Sequence, residues 1–224
     1  MRYLVRNALG RLLLGGLLLG GLPAARAADM EIRRFAILID GKRSGDYKLT
    51  VARQDDGTVT ATLQGAMRIT KLGVTWYHYS FRGTEVWNNG RLQRLESTCD
   101  DDGKKYSLIA TAEDGGMRVK VNGQEHTSPA DVWVNSFWQL PPAAYHNAPV
   151  PLLGCDDGKD IRGYLQMMGS VEINAAGQSM NCTRCRVLSA EPHDLWYDGQ
   201  GRMVRQEWVE DGYKVTFELT RVQR

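Results

Sequence analysis

Nine short turn signals divide this chain into segments of strand length, and they constrain its fold more than any other feature. Eight are Asp-Gly or Asn-Gly pairs and one is an Ala-Gly pair. A two-residue β-hairpin needs positive φ at its central positions, and Gly, Asn and Asp adopt that conformation with the least strain. The spacing therefore predicts antiparallel strands joined by tight hairpins. The pairs are Asp40-Gly41, Asp56-Gly57, Asn89-Gly90, Asp102-Gly103, Asp114-Gly115, Asn122-Gly123, Ala176-Gly177, Asp198-Gly199 and Asp211-Gly212.

Most segments between these turns alternate apolar and polar residues, which is the pattern of a strand with one buried face. The last segment is the clearest, with apolar side chains at Tyr213, Val215, Phe217 and Leu219. Counting such segments gives about ten strands. We therefore predict an all-β domain, an antiparallel hairpin meander that forms a closed or half-open barrel or a strongly curved sheet.

The hairpin spacing is interrupted between residues 124 and 159, where five of the seven prolines fall. Ser128 before Pro129 is typical of a helix N-cap followed by proline in the first turn, so a short helix is predicted over 129–138. The segment has too many aromatic residues for a disordered loop, and we expect this linker to cap one end of the sheet. Its aromatic residues are Trp133, Phe137, Trp138 and Tyr145.

Residues 1–27 have the pattern of a secretory signal peptide, with arginines before an apolar stretch and a small-residue cleavage site at the end. The apolar stretch has 11 residues, and a bilayer-spanning helix needs about 20. We expect cleavage after Ala27, a single domain over 28–224 without a transmembrane anchor, and a periplasmic or secreted protein. The leader holds four Arg and no acid, so its removal changes the formal net charge from +2 to −2. No basic cluster then remains to favour a nucleic-acid partner.

The four cysteines, Cys99, Cys155, Cys182 and Cys185, all follow the predicted leader. An even number of Cys in an exported protein is typical of disulfides, so two bridges are expected, with three connectivities open. The alternatives are a thiol-redox pair at Cys182 and Cys185, or a zinc site that adds Cys155 and His193. A redox thiol is commonly activated at a helix N-terminus, which this segment lacks, and the zinc spacing is incomplete. No metal site is predicted.

The strand that follows Gly73 carries an aromatic stripe at period two. Tyr77, Tyr79 and Phe81 are followed in phase by Glu85 and Trp87. One interpretation is a ligand cavity with aromatic walls and Glu85 as its polar anchor. The other is ordinary core, since the interiors of small barrels are generally filled by side chains. In either case Glu85 needs a hydrogen-bonding or charged partner, or a place in water at the strand end.

Several short motifs occur together along the chain. They are Asp40-Gly41-Lys42, Glu85-Val86-Trp87 with Gly90-Arg91-Leu92, Ser97-Thr98 before Asp102-Gly103, Trp138, and the run from Asp194 to Asp198. The combination resembles the bacterial exported family described as domain of unknown function 6134. The resemblance implies a bacterial periplasmic protein and brings no established activity or catalytic residues. The four cysteines depart from the family pattern, and Cys99 stands where the motif tends to have Thr or Ser.

These observations favour a non-catalytic domain that binds an apolar or amphipathic small molecule in the periplasm. The sequence has no nucleophile elbow and no phosphate-binding loop, so no catalytic residue and no cofactor is predicted. A structural or assembly partner of the cell envelope is the alternative, with the ends at Glu85, Trp87, Trp196 and Tyr197 as a protein-binding rim. The predicted ligand-binding residues are Tyr77, Tyr79, Glu85, Trp87, Trp133, Trp138, Trp196 and Tyr197.

A hydrolase or a thiol-redox enzyme is a second alternative. A hydrolase would need an acid and a base that converge in one pocket. Glu85, Glu96 and Asp194 are the acidic residues considered for that role.

Overall fold

A computed structural model describes residues 29–71 and 73–224, so the predicted signal peptide over 1–27 lies outside the described residues. Fifteen strands form one sheet. Within the described ranges, no helix has the length and apolar character needed to cross a membrane. The strands are β1 (Asp29–Ile39), β2 (Lys42–Arg53), β3 (Thr58–Lys71), β4 (Val74–Asn88), β5 (Arg91–Asp101), β6 (Lys104–Glu113), β7 (Gly116–Val121), β8 (Gln124–Ser128), β9 (Trp133–Val134), β10 (Ala148–Leu153), β11 (Asp160–Ala175), β12 (Gln178–Leu188), β13 (His193–Tyr197), β14 (Met203–Glu210) and β15 (Tyr213–Gln223).

The sheet grows outward in both directions from its first and last strands. β1 pairs with β15, and the order across the sheet is β8-β7-β6-β5-β4-β3-β2-β1-β15-β14-β13-β12-β11-β10-β9. Neighbours are antiparallel except β9 and β10, which are parallel. Because β8 and β9 are both edges, the sheet is not closed, and the fold is barrel-like and open. The predicted count of about ten strands was too low, since several strands are short or lack a Gly-containing turn pair before them.

The turn pairs connect strands as the sequence predicts. All nine lie at the junction between consecutive antiparallel strands. At six of them both central residues have positive φ, from Asp40 (48°) with Gly41 (77°) to Asp211 (49°) with Gly212 (79°). The Asp and Asn residues at these positions are therefore explained by backbone geometry.

The helix predicted over 129–138 is wrong. Trp133 and Val134 form β9 instead, beside Leu152 and Leu153 of β10. The described residues of this linker contain one 3-10 turn, Ala143–Tyr145. The physical reason is burial: Val132, Trp133 and Val134 are consecutive and all at most 4% exposed. A short helix at the surface buries one stripe of side chains and could not enclose three successive residues.

The linker enters the interior of the sheet. The Trp133 ring lies 4.6 Å from the Trp87 ring of β4, centroid to centroid. At the other end of the linker, Gly158 has a φ of +70°, and a Cβ there would overlap the Val121 side chain of β7. Glycine is needed at this position because the backbone lies directly against the sheet.

The two expected disulfides are absent from the described residues, which include all four cysteines. Each of the four is a free thiol. Cys99 lies on β5, and Cys182 and Cys185 lie on β12, with β4, β3, β2, β1, β15, β14 and β13 between those strands in the sheet. An even number of cysteines does not by itself place two of them within the Cα separation of about 4.4–6.8 Å that a disulfide requires.

Candidate functional site

The inward-facing stripe of β4 divides the interior into a packed half and a hollow half. Phe81, Glu85 and Trp87 are at most 4% exposed and belong to the core. Tyr77 and Tyr79 are half-buried and face open space. The two interpretations of the stripe, core and cavity wall, therefore each describe one part of it.

The hollow half is a cavity of about 180 Å³. Tyr77 and Tyr79 of β4 face Gln206 and Trp208 of β14 across it, and the linker contributes Asn135, Ser136, Cys155 and Asp156. A second hollow of about 280 Å³ shares Met67, Tyr77, Asp101 and Glu210 with the cavity. This second hollow forms the mouth, and Trp76, which is 65% exposed, stands at its rim.

A chain of aromatic rings runs along one wall. The Tyr47 ring is 5.2 Å from the Phe217 ring, the Phe217 ring is 5.2 Å from that of Trp208, and Trp208 is 5.2 Å from the His193 ring. The chain ends at Phe137 of the linker, 5.7 Å from His193. Tilted and edge-on ring pairs at such distances are favourable and rigid, so this wall presents an ordered π-surface to the cavity.

The cavity is acidic. Four carboxylates line it, those of Asp101, Asp156, Glu191 and Glu210, and the described lining residues include no Lys or Arg. Asp101 accepts a hydrogen bond from the Tyr77 hydroxyl at 2.7 Å, and Glu210 accepts one from Trp208 Nε1 at 3.1 Å. Burial, followed by the neighbouring Asp157 carboxylate, raises the pKa of Asp156. No basic side chain of the lining offsets these charges.

His193 does not supply the missing positive charge. Burial lowers the pKa of its imidazole to about 4, so the ring is neutral near pH 7. Gln206 Nε2 lies 3.0 Å from His193 Nδ1, which accepts a hydrogen bond in the neutral ring. His193 therefore acts as one more aromatic surface of the wall.

Glu85 lies in the packed half, away from the cavity. Its Oε2 accepts hydrogen bonds of 2.8 Å from the indole N–H groups of both Trp87 and Trp138. Burial raises the pKa of this carboxyl group, and the side chains of Ser136, Trp138 and Trp87 partly oppose that rise. Glu85 joins the linker to β4 through these two indole groups, and its role as a ligand anchor stays a prediction.

The other predicted wall residues are also buried outside the cavity. Trp133 and Trp138 are 4% and 1% exposed and belong to the core. The Tyr197 hydroxyl donates to the Phe137 carbonyl oxygen at 3.1 Å. Trp196 is 7% exposed and lies between two guanidinium groups, 5.3 Å from that of Arg184 and 5.9 Å from that of Arg205. A protein-binding rim built from Glu85, Trp87, Trp196 and Tyr197 would need these side chains at the surface.

The acids considered for hydrolysis do not converge. Glu85 contacts two indoles, Glu96 pairs with Arg94 at the surface, and Asp194 pairs with Arg186 at 2.6 Å. In the predicted redox pair, burial raises the pKa of Cys182 and raises that of Cys185 to about 12. A catalytic thiol needs a lowered pKa.

The cavity includes residues that sequence reasoning missed. Asp101, Asp156, Trp208 and Glu210 line the cavity but are not among the residues predicted as a site from the sequence. A signal was present, since Gln206, Trp208 and Glu210 follow period two on β14 as the stripe does on β4. Among the described residues, no group of three His, Cys, Asp or Glu side chains is arranged to hold a metal ion.

Comparisons with known proteins give a family and a fold. A search of curated proteins found no match. The crystal structure of a β-barrel-like protein of domain of unknown function DUF1849 from Brucella abortus is similar in fold, with a TM-score of 0.63 and 10% sequence identity. The alignment covers 89% of this chain and 99% of that one. The family model described as domain of unknown function DUF6134 matches residues 35–220, and the chain therefore belongs to the DUF6134 family.

Proposed function

We propose that this protein is an exported, non-catalytic β-domain that binds a small amphipathic molecule in its interior cavity, and that the ligand carries a positively charged head group. The observation that carries this proposal is the uncompensated acidity of a cavity with aromatic walls. Asp101, Asp156, Glu191 and Glu210 face it, and its described lining offers no Lys or Arg.

Electrostatics favour a cation over a neutral ligand. The Asp156 carboxylate accepts a hydrogen bond from the Asp157 amide at 2.9 Å but has no cationic partner in the described cavity lining, and burial raises its pKa. An organic ammonium group removes the cost of this burial by pairing with the carboxylate. The rings of Tyr77, Tyr79 and Trp208 add cation–π attraction, worth about 0.5–2 kcal/mol for each favourable contact.

The size of the cavity limits what it admits. Pockets for drug-sized ligands have volumes of about 300–1,000 Å³. The inner cavity holds about 180 Å³ and the mouth about 280 Å³. A head group of the size of a substituted ammonium fits inside, and the apolar remainder of the ligand lies in the mouth against Met67, Ile69 and Trp76.

Titration with a matched pair of probes tests this proposal. Benzyltrimethylammonium is a cation with an aromatic body, and benzyl alcohol is neutral with the same ring. We expect the cation to bind more tightly and to change the fluorescence of Trp208, which lies in the cavity wall. Asp156→Asn should weaken binding of the cation about tenfold, the loss expected for one charged hydrogen bond, and leave benzyl alcohol unaffected.

Glu96→Gln is the control, since Glu96 is an exposed acid of β5 that faces away from the cavity and carries the same charge. It should leave the affinity for both probes unchanged. Equal affinity for the cation and the alcohol, or no saturable binding of the cation at millimolar concentration, would refute the proposed ligand class.

Export is tested separately. The supporting observation is the leader pattern of residues 1–27, which ends in Ala25-Arg26-Ala27. Expression of the full chain in a bacterial host, osmotic-shock fractionation and N-terminal sequencing should give a periplasmic protein that begins at Ala28. A cytoplasmic protein that retains Met1 would contradict it.

A further inference from the structure

We propose a second binding site on the outer face of the sheet, a cationic groove that accepts an acidic oligosaccharide. The site is independent of the interior cavity, because its polar side chains point to the opposite face of the same strands. The groove has a volume of about 920 Å³ and crosses β1 to β6. Its cationic side chains are Arg34, Arg43, Lys48, Arg82 and Lys105.

Strand register places cations side by side. Arg34 of β1 lies opposite Lys48 of β2 on one side and opposite Arg221 of β15 on the other. Lys48 faces Gln64 of β3, and Gln64 faces Arg82 of β4. Like charges directly opposite each other in a sheet are destabilising. A bound polyanion would attract each of these cations and would offset the repulsion between them.

The two acids among the described lining residues of the groove are Asp46 and Asp100, and Asp100 lies opposite Lys105 in the strand register. Asp46 is paired with Arg43, and Asp100 lies 3.3 Å from His78 and accepts a hydrogen bond from the Gly103 amide. Among residues 29–71 and 73–224, no ion pair joins a carboxylate to Arg34, Lys48, Arg82, Lys105 or Arg221. These cations remain available to a ligand.

Small residues make the floor of the groove. Ala66 of β3 faces Ser80 of β4, one step along the strands from the row of cations, and Thr220 lies at the β15 side. The longer side chains of Arg34, Lys48 and Arg82 line the same groove beside these small residues. From Arg34 of β1 to Arg82 of β4 the row spans three strand spacings of about 4.8 Å, or about 14 Å. An extended chain of several units fits this length better than a single phosphate or sulfate.

The chemistry of the lining favours a sugar polymer. Beyond Arg82 the groove continues into a second hollow of about 460 Å³, which shares Gln64, Arg82 and Thr98 with it. Its outward side chains include the hydroxyl groups of Thr62, Thr84 and Ser107, which match the hydroxyl-rich surface of a saccharide. Glu96 and Ile109 also line this hollow, and the Glu96 carboxylate is paired with Arg94. The aromatic rings among the described lining residues of the groove are buried or half-buried on the inner side of their strands, so nucleic-acid bases would find few stacking surfaces.

Binding assays with defined oligosaccharides test this site. The probe is hexagalacturonate, with uncharged maltohexaose as its partner, measured by titration calorimetry at 50 mM and 200 mM NaCl. We expect hexagalacturonate to bind, the affinity to fall with salt, and maltohexaose not to bind. Arg82→Gln and Lys48→Gln should each weaken binding about tenfold, the loss of one charge-assisted contact.

Arg53→Gln is the matched control, since Arg53 is an exposed cation at the far end of β2, outside the groove. It removes the same charge and should leave the affinity unchanged. Asp156→Asn should also have no effect, which separates this site from the interior one. The proposal is overturned if Arg53→Gln weakens binding as much as Arg82→Gln, or if hexagalacturonate does not bind at 1 mM. Tighter binding to phosphatidylglycerol vesicles or to a dT12 strand would overturn the assignment to sugars.

Discussion

The ion-pair cluster around Glu31 gives the sharpest prediction for stability. Its Oε1 accepts from Arg33 Nε at 2.6 Å, and its Oε2 accepts from Arg202 Nη1 at 2.8 Å and from Arg224 Nε at 3.3 Å. Arg33 is 1% exposed and also donates to the Trp138 carbonyl oxygen at 2.7 Å. Glu31 therefore supplies the charge that allows a buried guanidinium to hold the linker against β1.

The magnitude follows from the pKa of Glu31. Burial alone would raise it, but the hydrogen bonds and charges of Arg33 and Arg202 lower it to about 2 from an ordinary 4.5. At about 1.4 kcal/mol for each pKa unit the full effect is about 3 kcal/mol. The side chain is 15% exposed, so solvent screening reduces this and we expect about 2–3 kcal/mol.

The sign of the pH dependence is fixed by the direction of the shift. A folded-state pKa below the unfolded value gives stability that is present above the unfolded value and is lost as the pH falls through the folded value. Glu31→Gln should therefore lower the free energy of unfolding by about 2–3 kcal/mol at pH 7 and by only about 1 kcal/mol at pH 3.

Urea denaturation followed by tryptophan fluorescence at pH 7 and pH 3 measures both differences. Glu96→Gln is the control, because Glu96 is half-exposed, pairs only with Arg94, and should change stability by less than about 0.5 kcal/mol at either pH. If Glu31→Gln lowers the free energy of unfolding by the same amount at pH 7 and pH 3, the reasoning is refuted. A loss independent of pH would mean that the substitution acts through packing and not through the charge of Glu31.

Three further substitutions test other parts of the fold by the same measurement. Trp138→Phe removes an indole N–H from a buried carboxylate and should cost about 2–3 kcal/mol; a loss below 0.5 kcal/mol would contradict that role. Positive φ is strained for alanine and not for glycine. Ala176 has a φ of 51° in the β11–β12 turn, so Ala176→Gly should stabilise the protein by about 1 kcal/mol. Asp211 has a φ of 49°, so Asp211→Ala should destabilise it by a similar amount. The same sign for both changes would show that φ is not the cause. A Cβ at Gly45 would overlap the backbone of β3, so Gly45→Ala should cost about 1–3 kcal/mol, whereas Gly199→Ala, which meets open space, should be near neutral. Equal losses at both glycines would contradict the close approach of β2 and β3.

The sequence predicted the local plan of the fold because that plan depends on neighbouring residues. Positive φ at Asp40 and Asn89 is a property of two-residue turns, and it can be recognised from Asp-Gly and Asn-Gly alone. The strand β9 could not be recognised in this way. Trp133 and Val134 are extended because they pair with Leu152 and Leu153, which lie almost 20 residues away in the chain.

The candidate site could likewise be predicted only as far as it depends on residues that are neighbours in the sequence. The period-two stripe placed Tyr77 and Tyr79 on the inner face, and the structure puts both in the cavity wall. The stripe could not show where packing ends, because this depends on which linker residues enter the interior. Asp156 could not be predicted as a cavity residue for the same reason: its place in the cavity follows from the path of the linker rather than from its neighbours in sequence.

The linker therefore determines both halves of the interior. Trp133 and Trp138 fill the space around Trp87 and Glu85, so that end is solid. Asn135 and Cys155 are joined by a hydrogen bond of 2.8 Å from the Cys155 amide, and the Cys155 carbonyl accepts one of 2.6 Å from the Ser97 hydroxyl of β5. These bonds hold the two linker segments at the boundary of the cavity and keep Asp156 beside it. Loosening the linker at Trp138 should consequently reduce stability and cavity binding together, whereas Asp156→Asn should reduce binding of the cationic probe alone.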